Sequence, residues 1–195
     1  PFDLKSAEHI ELVEIKSAKA ADVVIGVSQA DLDHLRNNSG ENFEGVVVPT
    51  VHYGHEKSTE GFNDRKGILF VGGFQHDPNV AAAKELVNVI MPKVWDVLGP
   101  IPITIAGSRP TAEVLELASG TVRVCGWVED LGPLYDQSRL FVAPLRYGAG
   151  VKGKIGEAIS HGLPIVTTSL GIEGLALENK TDIMIADSPD EIAKI

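Results

Sequence analysis

The residues best suited to chemistry in this sequence follow a glycine-rich stretch. Gly148 and Gly150 precede Lys152 and Lys154, and Glu157 comes one helical turn later. The pattern predicts a helix that begins at the lysines, where the positive end of its dipole disfavours each cation by roughly a few tenths of a kcal/mol. A bound phosphate would reverse that sign, because helix N–H groups and ammonium groups would then point at one anion. The spacing predicts an anion site, the alternatives being solvated lysines or a Lys154 to Glu157 ion pair.

The same glycine-rich stretch fits two nucleotide-binding patterns, but the surrounding sequence lacks features that each pattern requires. Gly148, Gly150 and Gly153 match the G-x-G-x-x-G dinucleotide fingerprint. That fingerprint belongs after the first strand of its unit, whereas three predicted strands of the same sheet precede this one. The P-loop pattern needs Ser or Thr to hold magnesium, and Ile155 stands there. We therefore expect neither of these two kinds of site.

Two further loops offer groups to a ligand. Gly72 and Gly73 follow one predicted strand, and glycine lets the backbone approach a bulky ligand, although it also serves tight turns. Trp127 and Val128 follow another strand and could present an apolar wall to a flat base, although Trp127 could equally belong to the core. Glu157 could accept hydrogen bonds from ribose or sugar hydroxyls. These loops thus offer separate places for a flat base, for sugar hydroxyls and for a phosphate.

Composition excludes several other kinds of site and partner. The six histidines show no metal-ligand spacing with acids or with Cys125, so no metal is expected. A net charge of −10 disfavours nucleic acid and anionic membranes as partners. No apolar run approaches the ~18 residues that span a bilayer, and the first residues lack the pattern of a signal peptide. We expect a soluble, cytoplasmic protein.

A regular α/β pattern from residue 67 onward would position these loops. Short strands rich in Val and Ile are predicted at 68–72, 103–106, 122–125, 140–143, 164–167 and 183–186. In the first helix between them, Asp77 is the predicted N-cap and Pro92 the candidate kink. Apolar strands alternating with helices predict a doubly wound, Rossmann-like parallel sheet. With the common strand order 3-2-1-4-5-6, ligands would bind beyond the carboxyl ends of its first and fourth strands.

The preceding residues predict a fragment of a second α/β domain. Residues 1–54 contain a predicted helix at 7–20, a buried strand at 23–27, a helix capped by Ser28 and Asp31, and a strand at 46–48. Residues 55–66 are polar and without period, which predicts a linker to the domain of residues 67–195. The sequence is expected to stop inside the last helix of that domain.

Four stretches carry a resemblance to a known family. They are Ile68 to Phe74, Gly126 to Leu131, Val142 to Leu145, and Lys154 through Val166. Together they resemble the carboxyl-terminal, donor-binding domain of glycosyltransferase family 4, which are retaining enzymes of the two-domain GT-B fold. Residues 1–50 resemble the end of the family's amino-terminal domain, most of which would lie before Pro1.

The resemblance implies a nucleotide-sugar donor, either a UDP-sugar or a GDP-sugar, and the transfer of a hexose from it. It places the base near Trp127 and Val128, the ribose on Glu157, and the diphosphate near Gly73 and the two lysines. Lys154 and Glu157 would be the catalytic residues, with no obligatory cofactor or metal. The acceptor, a saccharide or a lipid-linked acceptor, would bind the missing domain, so residues 1–195 alone are expected to be inactive. Peripheral membrane contact would belong to the full-length protein only.

Two departures from the family pattern leave the transferred sugar open. The family commonly carries two glutamates eight positions apart, but Ala149 stands eight positions before Glu157. Many members place Arg and Lys soon after the first strand, where this sequence has Gln75 to Asn79, so Lys152 and Lys154 would supply that charge. The alternatives are a nucleotide-sugar epimerase of the same fold, a non-catalytic nucleotide-sugar-binding module and, last, an NAD-dependent oxidoreductase.

Overall fold

The chain forms two compact units, one up to Val51 and one from His52 onward. The computed structural model describes residues 4–52 and 61–195, with side chains from residue 9. Of the predicted linker, residues 55–60 lie outside the described residues. Arg65, which follows them, is buried, and its Nη2 donates to the carbonyl of His161 at 3.3 Å. The end of the predicted linker therefore packs as part of the second unit.

The first unit contains two helices and two parallel strands. They are α1 (Leu4–Ala20), β1 (Val24–Gly26), α2 (Gln29–Ser39) and β2 (Gly45–Val47). Helix α2 begins as predicted, because Ser28 Oγ accepts from the N–H of Asp31 at 3.2 Å. The prediction that β1 is buried was wrong, since Ile25 is 69% exposed. A sheet of only two strands leaves this face uncovered within the unit.

The second unit confirms the predicted doubly wound parallel sheet. Its strands are β3 (Ile68–Val71), β4 (Ile103–Ala106), β5 (Val122–Gly126), β6 (Leu140–Ala143), β7 (Ile165–Thr167) and β8 (Met184–Ile185). They lie in the order β5-β4-β3-β6-β7-β8, with every neighbouring pair parallel. This is the order 3-2-1-4-5-6 in the numbering of the domain's own strands. The order therefore reverses between β3 and β6, as predicted.

Helices cover both faces of this sheet. They are α3 (Asp77–Glu85), α4 (Met91–Leu98), α5 (Ala112–Leu115), α6 (Gly132–Gln137), α7 (Gly153–Ser160) and α8 (Pro189–Ile192). Along β3, Phe70 belongs to one apolar cluster, whereas Leu69 belongs to a second cluster with Tyr135 and Ile155. Successive strand residues thus feed opposite faces, as a sheet buried on both sides requires. No helix in the described ranges has the length and hydropathy needed to cross a bilayer.

The first helical segment differs from its prediction at its N-cap. The N-cap of α3 is His76, which makes no side-chain capping bond, so the prediction of Asp77 as N-cap was wrong by one residue. A π-helical turn, Leu86–Ile90, joins α3 to α4, and Pro92 falls in the first turn of α4. The π turn runs directly into α4, so Pro92 lies within a continuous helical segment and beside an irregular turn, where helices commonly bend. The kink at Pro92 stays a prediction.

Candidate functional site

The carboxyl ends of β3 and β6 bring two glycine-rich loops together. The first loop, Gly72 to His76, leads into α3, and the second loop, Pro144 to Lys152, leads into α7. Asn79, in the first turn of α3, donates from Nδ2 to the carbonyl of Gly73 at 2.8 Å. Its Oδ1 accepts a hydrogen bond from Lys154 Nζ. One buried amide therefore connects the first loop to the helix that follows the second.

Lys154 presents a largely buried ammonium at this point of the fold. Its Nζ lies 5.6 Å from the centre of the Phe70 ring, on the side of the sheet where α3 packs. Burial and, to a smaller extent, the positive charge of Lys152 together lower the pKa of Lys154 to about 8. At pH 7 the side chain is still mostly a cation. Asn79 takes one of its three protons, which leaves two for an anion.

Lys152 is engaged differently, although it stands only two residues away. Its Nζ donates to the carbonyl of Gly150, to that of Gly148 at 3.4 Å, and to Oε2 of Glu173 at 3.2 Å. These three acceptors match the three protons of an ammonium group. The side chain is only 9% exposed. Lys152 therefore closes the second loop on itself and ties it to the segment after β7.

Glu157 stands one turn after Lys154 on α7 but has a different neighbour. In the described part of the chain, no ion pair joins the two residues, so the alternative of a Lys154 to Glu157 pair is not what the structure shows. Glu157 lies instead beside the buried hydroxyl of Tyr135. Burial raises the pKa of Tyr135, and the carboxylate of Glu157 raises it further. The phenol therefore stays neutral next to a half-buried carboxylate.

The glycines of the two loops have distinct physical roles. A Cβ on Gly72 would come within 2.9 Å of the Asn79 side chain, so only glycine lets Asn79 pack there. Gly148 and Gly150 have positive φ values of 116° and 80°, which few other residues adopt easily. Backbone conformation alone therefore accounts for glycine at these two positions of the second loop. In the first loop, glycine serves a close approach.

The loop after β5 leaves the same carboxyl edge of the parallel sheet as the two glycine-rich loops. Trp127 is 69% exposed, which rules out the alternative that it belongs to the core. Val128 is half-buried against the cluster that contains Tyr135. Asp130 Oδ1 accepts from the N–H of Gly132 at 2.9 Å and so orders the start of α6. An aromatic ring and backbone groups are thus available to a flat ligand at this edge.

Two residues of the candidate site, Asn79 and Glu173, could not be identified as site residues from their sequence pattern alone. Asn79 shares a helical face with the buried Ala82, Ala83 and Leu86, so a polar residue in an otherwise apolar stripe was the available signal. Glu173 lies in the segment after β7 and gave no such signal, because its partner Lys152 is distant in sequence. Within residues 9–52 and 61–195, no cluster of three His, Cys, Asp or Glu residues could hold a metal ion.

The second unit also has a cavity of about 340 Å³ at the other end of the sheet. It lies at the amino ends of β3 and β6, among apolar side chains of α4 and α8. Arg139, its charged lining residue, has its guanidinium 4.4 Å from the centre of the Phe62 ring. Among the described residues that line the cavity, no other side chain is charged, so the candidate site remains the one at the carboxyl ends.

Comparison with known proteins agrees with this architecture. The family model of the glycosyl transferases group 1 matches residues 65–195. An uncharacterized 44.6 kDa protein in the cps region of Klebsiella pneumoniae is 29% identical over 136 residues, which are 65% of this chain and 35% of that protein. The chain thus spans about a third of the length of this curated relative.

Solved structures of low sequence identity share the fold. The pneumococcal O-GlcNAc transferase GtfA, in complex with UDP and GlcNAc, has a TM-score of 0.73 at 16% identity, over 93% of this chain and 38% of that one. HepE of Anabaena, in complex with UDP and glucose, has a TM-score of 0.72 at 15% identity, over 100% of this chain and 59% of that one. The parallel sheet with its helices thus matches the domains of GT-B glycosyltransferases, as predicted.

Proposed function

This chain belongs to the glycosyl transferases of group 1, and from that premise we propose that its second unit binds the nucleotide-sugar donor of a retaining hexosyltransferase. The observation that carries the proposal is the largely buried ammonium of Lys154, which has two protons free of protein acceptors in the described structure. It lies beside two glycine-rich loops where the strand order reverses. A buried cation is costly unless an anion or a polar ligand meets it. The diphosphate of a donor is such an anion.

In the proposed reaction, Lys154 acts electrostatically, by stabilising the leaving group. When the bond between the sugar and the diphosphate breaks, negative charge accumulates on the departing phosphate oxygens. A preorganised ammonium in a site of low dielectric stabilises that charge more strongly than water does. The backbone N–H groups at the start of α7 act in the same direction. No metal ion is needed in this proposal.

In this proposal, other residues of the site bind the ribose and the base of the donor. Glu157 accepts hydrogen bonds from the ribose hydroxyls, and the base lies against Trp127 and Val128. Lys152 supports the diphosphate indirectly, by holding Gly148 and Gly150 in place. UDP is the first nucleotide to test, because the related structures of GtfA and HepE contain it. The acceptor, a saccharide or a lipid-linked saccharide, would bind the part of the enzyme that these residues do not include.

The ligand class is tested first, by titrating the 195-residue chain with UDP, GDP and NAD in a calorimeter. We expect UDP or GDP to bind more tightly than NAD by at least about tenfold, or ~1.4 kcal/mol. The proposed donor carries one nucleoside and one sugar on its diphosphate, and a nucleoside diphosphate fits the nucleoside and phosphate parts of that site. NAD carries a second nucleoside in place of the sugar, for which the proposed site has no counterpart. Binding of NAD without binding of UDP or GDP would contradict the proposal.

The role of Glu157 is tested by comparing UDP, or GDP if that binds instead, with its 2′,3′-dideoxy analogue. In the wild type, the ribose hydroxyls should add roughly 1–2 kcal/mol, because hydrogen bonds to a carboxylate are strong. Glu157→Gln should lose most of this discrimination between the two ligands, since the amide accepts through one neutral oxygen.

Glu116→Gln is the matched control, because Glu116 is exposed beyond the end of α5 and lies outside the site. It should discriminate between the two nucleotides as the wild type does. If Glu157→Gln discriminates equally well, then Glu157 does not bind the ribose. Its carboxylate would then be only a neighbour of Tyr135.

A further inference from the structure

We propose that Asn79 is a positioning residue that holds the Lys154 ammonium against the first glycine loop, so that the loop and the cation meet the diphosphate together. The inference rests on the proposed function, and it goes beyond it by assigning a role to a residue that need not touch the ligand. Asn79 is only 9% exposed, and both ends of its amide are engaged.

The amide of Asn79 can face only one way. Its Nδ2 donates to the carbonyl of Gly73, which cannot itself donate, so the amide oxygen must face Lys154. The side chain is confined further by Gly72, where a Cβ would lie 2.9 Å from the Cβ of Asn79. The orientation of Lys154 is therefore set by the backbone of the first loop, through one side chain.

A neutral acceptor suits this role better than a charged one. A carboxylate at position 79 would also bind the ammonium, but it would lose the bond to the Gly73 carbonyl and repel a phosphate. An aliphatic side chain would leave the buried ammonium without its partner. An amide holds one proton of Lys154 and leaves the other two, with the full positive charge, for the ligand.

The charged surroundings of Lys154 are simple enough for the idea to be tested by titration. From β3 it faces the neutral ring of Phe70, and from α3 it faces the neutral amide of Asn79. From the loop before α7, the ammonium of Lys152 acts on it and is itself paired with Glu173. A new charge at position 79 would therefore change the pKa of Lys154 directly, and that pKa, about 8, is distinct from those of ordinary lysines.

The experiment measures the pKa of Lys154 and the affinity for UDP in the 195-residue chain. The lysines are labelled biosynthetically with ¹³C and ¹⁵N and keep all three Nζ protons. The Lys154 signal is assigned by its loss in Lys154→Arg, and its pKa is read from the side-chain carbon shift by NMR without ligand. Asn79→Asp should raise the pKa of Lys154 by about 1 to 3, because a carboxylate beside the ammonium favours its charged form. The same variant should bind UDP about tenfold more weakly, because its carboxylate competes with the phosphate.

Asn79→Ala is the second variant, and it removes the amide without adding a charge. It should lower the pKa of Lys154 and weaken UDP binding about fivefold. Adding Asn79→Ala to Lys154→Ala should then weaken binding by less than about twofold more, because residues that act through one another are not additive. Asn38→Asp, at an exposed position of the first unit, is the control and should change neither quantity.

Two results would overturn the assignment. One is an unchanged pKa of Lys154 in both Asn79 variants, since Asn79 would then not be its partner in solution. The other is a full fivefold loss from Asn79→Ala even when Lys154 is already alanine, which would indicate that Asn79 acts on the loop alone. If wild-type protein binds neither UDP nor GDP, the proposed function fails, while the titration without ligand still tests the contact.

Discussion

Replacing Lys154 by methionine should weaken the binding of UDP, or of GDP if that is the ligand, by about 10- to 150-fold. The affinity for the corresponding nucleoside should stay within about twofold. The reason is that a charge-assisted hydrogen bond to phosphate contributes roughly 1.5–3 kcal/mol, and a nucleoside has no phosphate to lose. Methionine keeps the length and the apolar stem of lysine, so packing over the Phe70 ring is preserved.

Lys93→Met is the matched control. Lys93 forms an exposed ion pair with Asp190 at a distance from the two loops, and such pairs contribute little. Its affinity for UDP should equal that of the wild type. Equal losses for nucleoside and diphosphate in Lys154→Met would instead indicate that Lys154 is structural and that the anion site lies elsewhere.

The pH dependence of the same pair of proteins gives an independent check. Because burial lowers the pKa of Lys154 to about 8, the wild type should bind UDP best below pH 8 and lose affinity as the pH rises above it. Binding of the diphosphate favours the ammonium, so the protein should take up protons when UDP binds near pH 8.5. Lys154→Met should show neither effect in this pH range.

Stability should change with pH in the opposite sense. The unfolded chain keeps the Lys154 proton up to its ordinary pKa of 10.5, whereas the folded chain gives it up near 8. Between these values the unfolded state binds more protons, so the free energy of unfolding of the wild type should rise with pH. Relative to Lys154→Met, the rise from pH 7 to pH 10 should be on the order of 2–3 kcal/mol. A stability cost that the wild type carries at neutral pH is expected of a residue kept for function.

The sheet could be predicted from the sequence because each strand is marked by its own short run of apolar residues. Runs such as Ile68 to Val71 carry the apolar character of a buried strand in themselves. Their alternation with helices leaves few topologies, and the predicted strand order is the one that the structure shows. The same logic failed in the first unit, where β1 is equally apolar but its sheet has only two strands. A local pattern predicts a strand, but its burial depends on what else is present to cover it.

The sequence was enough to locate the candidate site, but it could not distinguish the roles of the two lysines in it. Lys152 and Lys154 look equivalent in the sequence, two residues apart beside the same glycines. The difference between them comes from partners supplied by distant segments: Glu173 is 21 residues from Lys152, and Asn79 is 75 residues from Lys154. Which lysine keeps free protons is therefore a tertiary property, and no spacing rule reports it.

Gly107→Ala should be the most destabilising of the small substitutions near the site. Gly107 follows β4 with a φ of 149°, and its N–H donates to the carbonyl of Gly126 at 2.8 Å. A Cβ at this position would lie 1.8 Å from the carbonyl oxygen of Gly72, which is backbone and cannot rotate away. Strain at a glycine φ and overpacking together should cost about 3–4 kcal/mol. Urea unfolding of the variant and the wild type measures this cost.

Gly99→Ala separates the two sources of that cost. Gly99 also has a positive φ, 78°, but a Cβ there would meet no atom within 4 Å, so only the backbone strain of roughly 1–2 kcal/mol remains. The excess of Gly107→Ala over Gly99→Ala therefore measures how firmly the first loop lies on the end of β4. Since Gly72 N–H also donates to the Ala106 carbonyl at 3.0 Å, the loop cannot retreat without losing a ladder bond. Equal costs for the two variants would mean that the first loop yields freely, and a loop that yields could not hold Asn79 and Lys154 in place for a diphosphate.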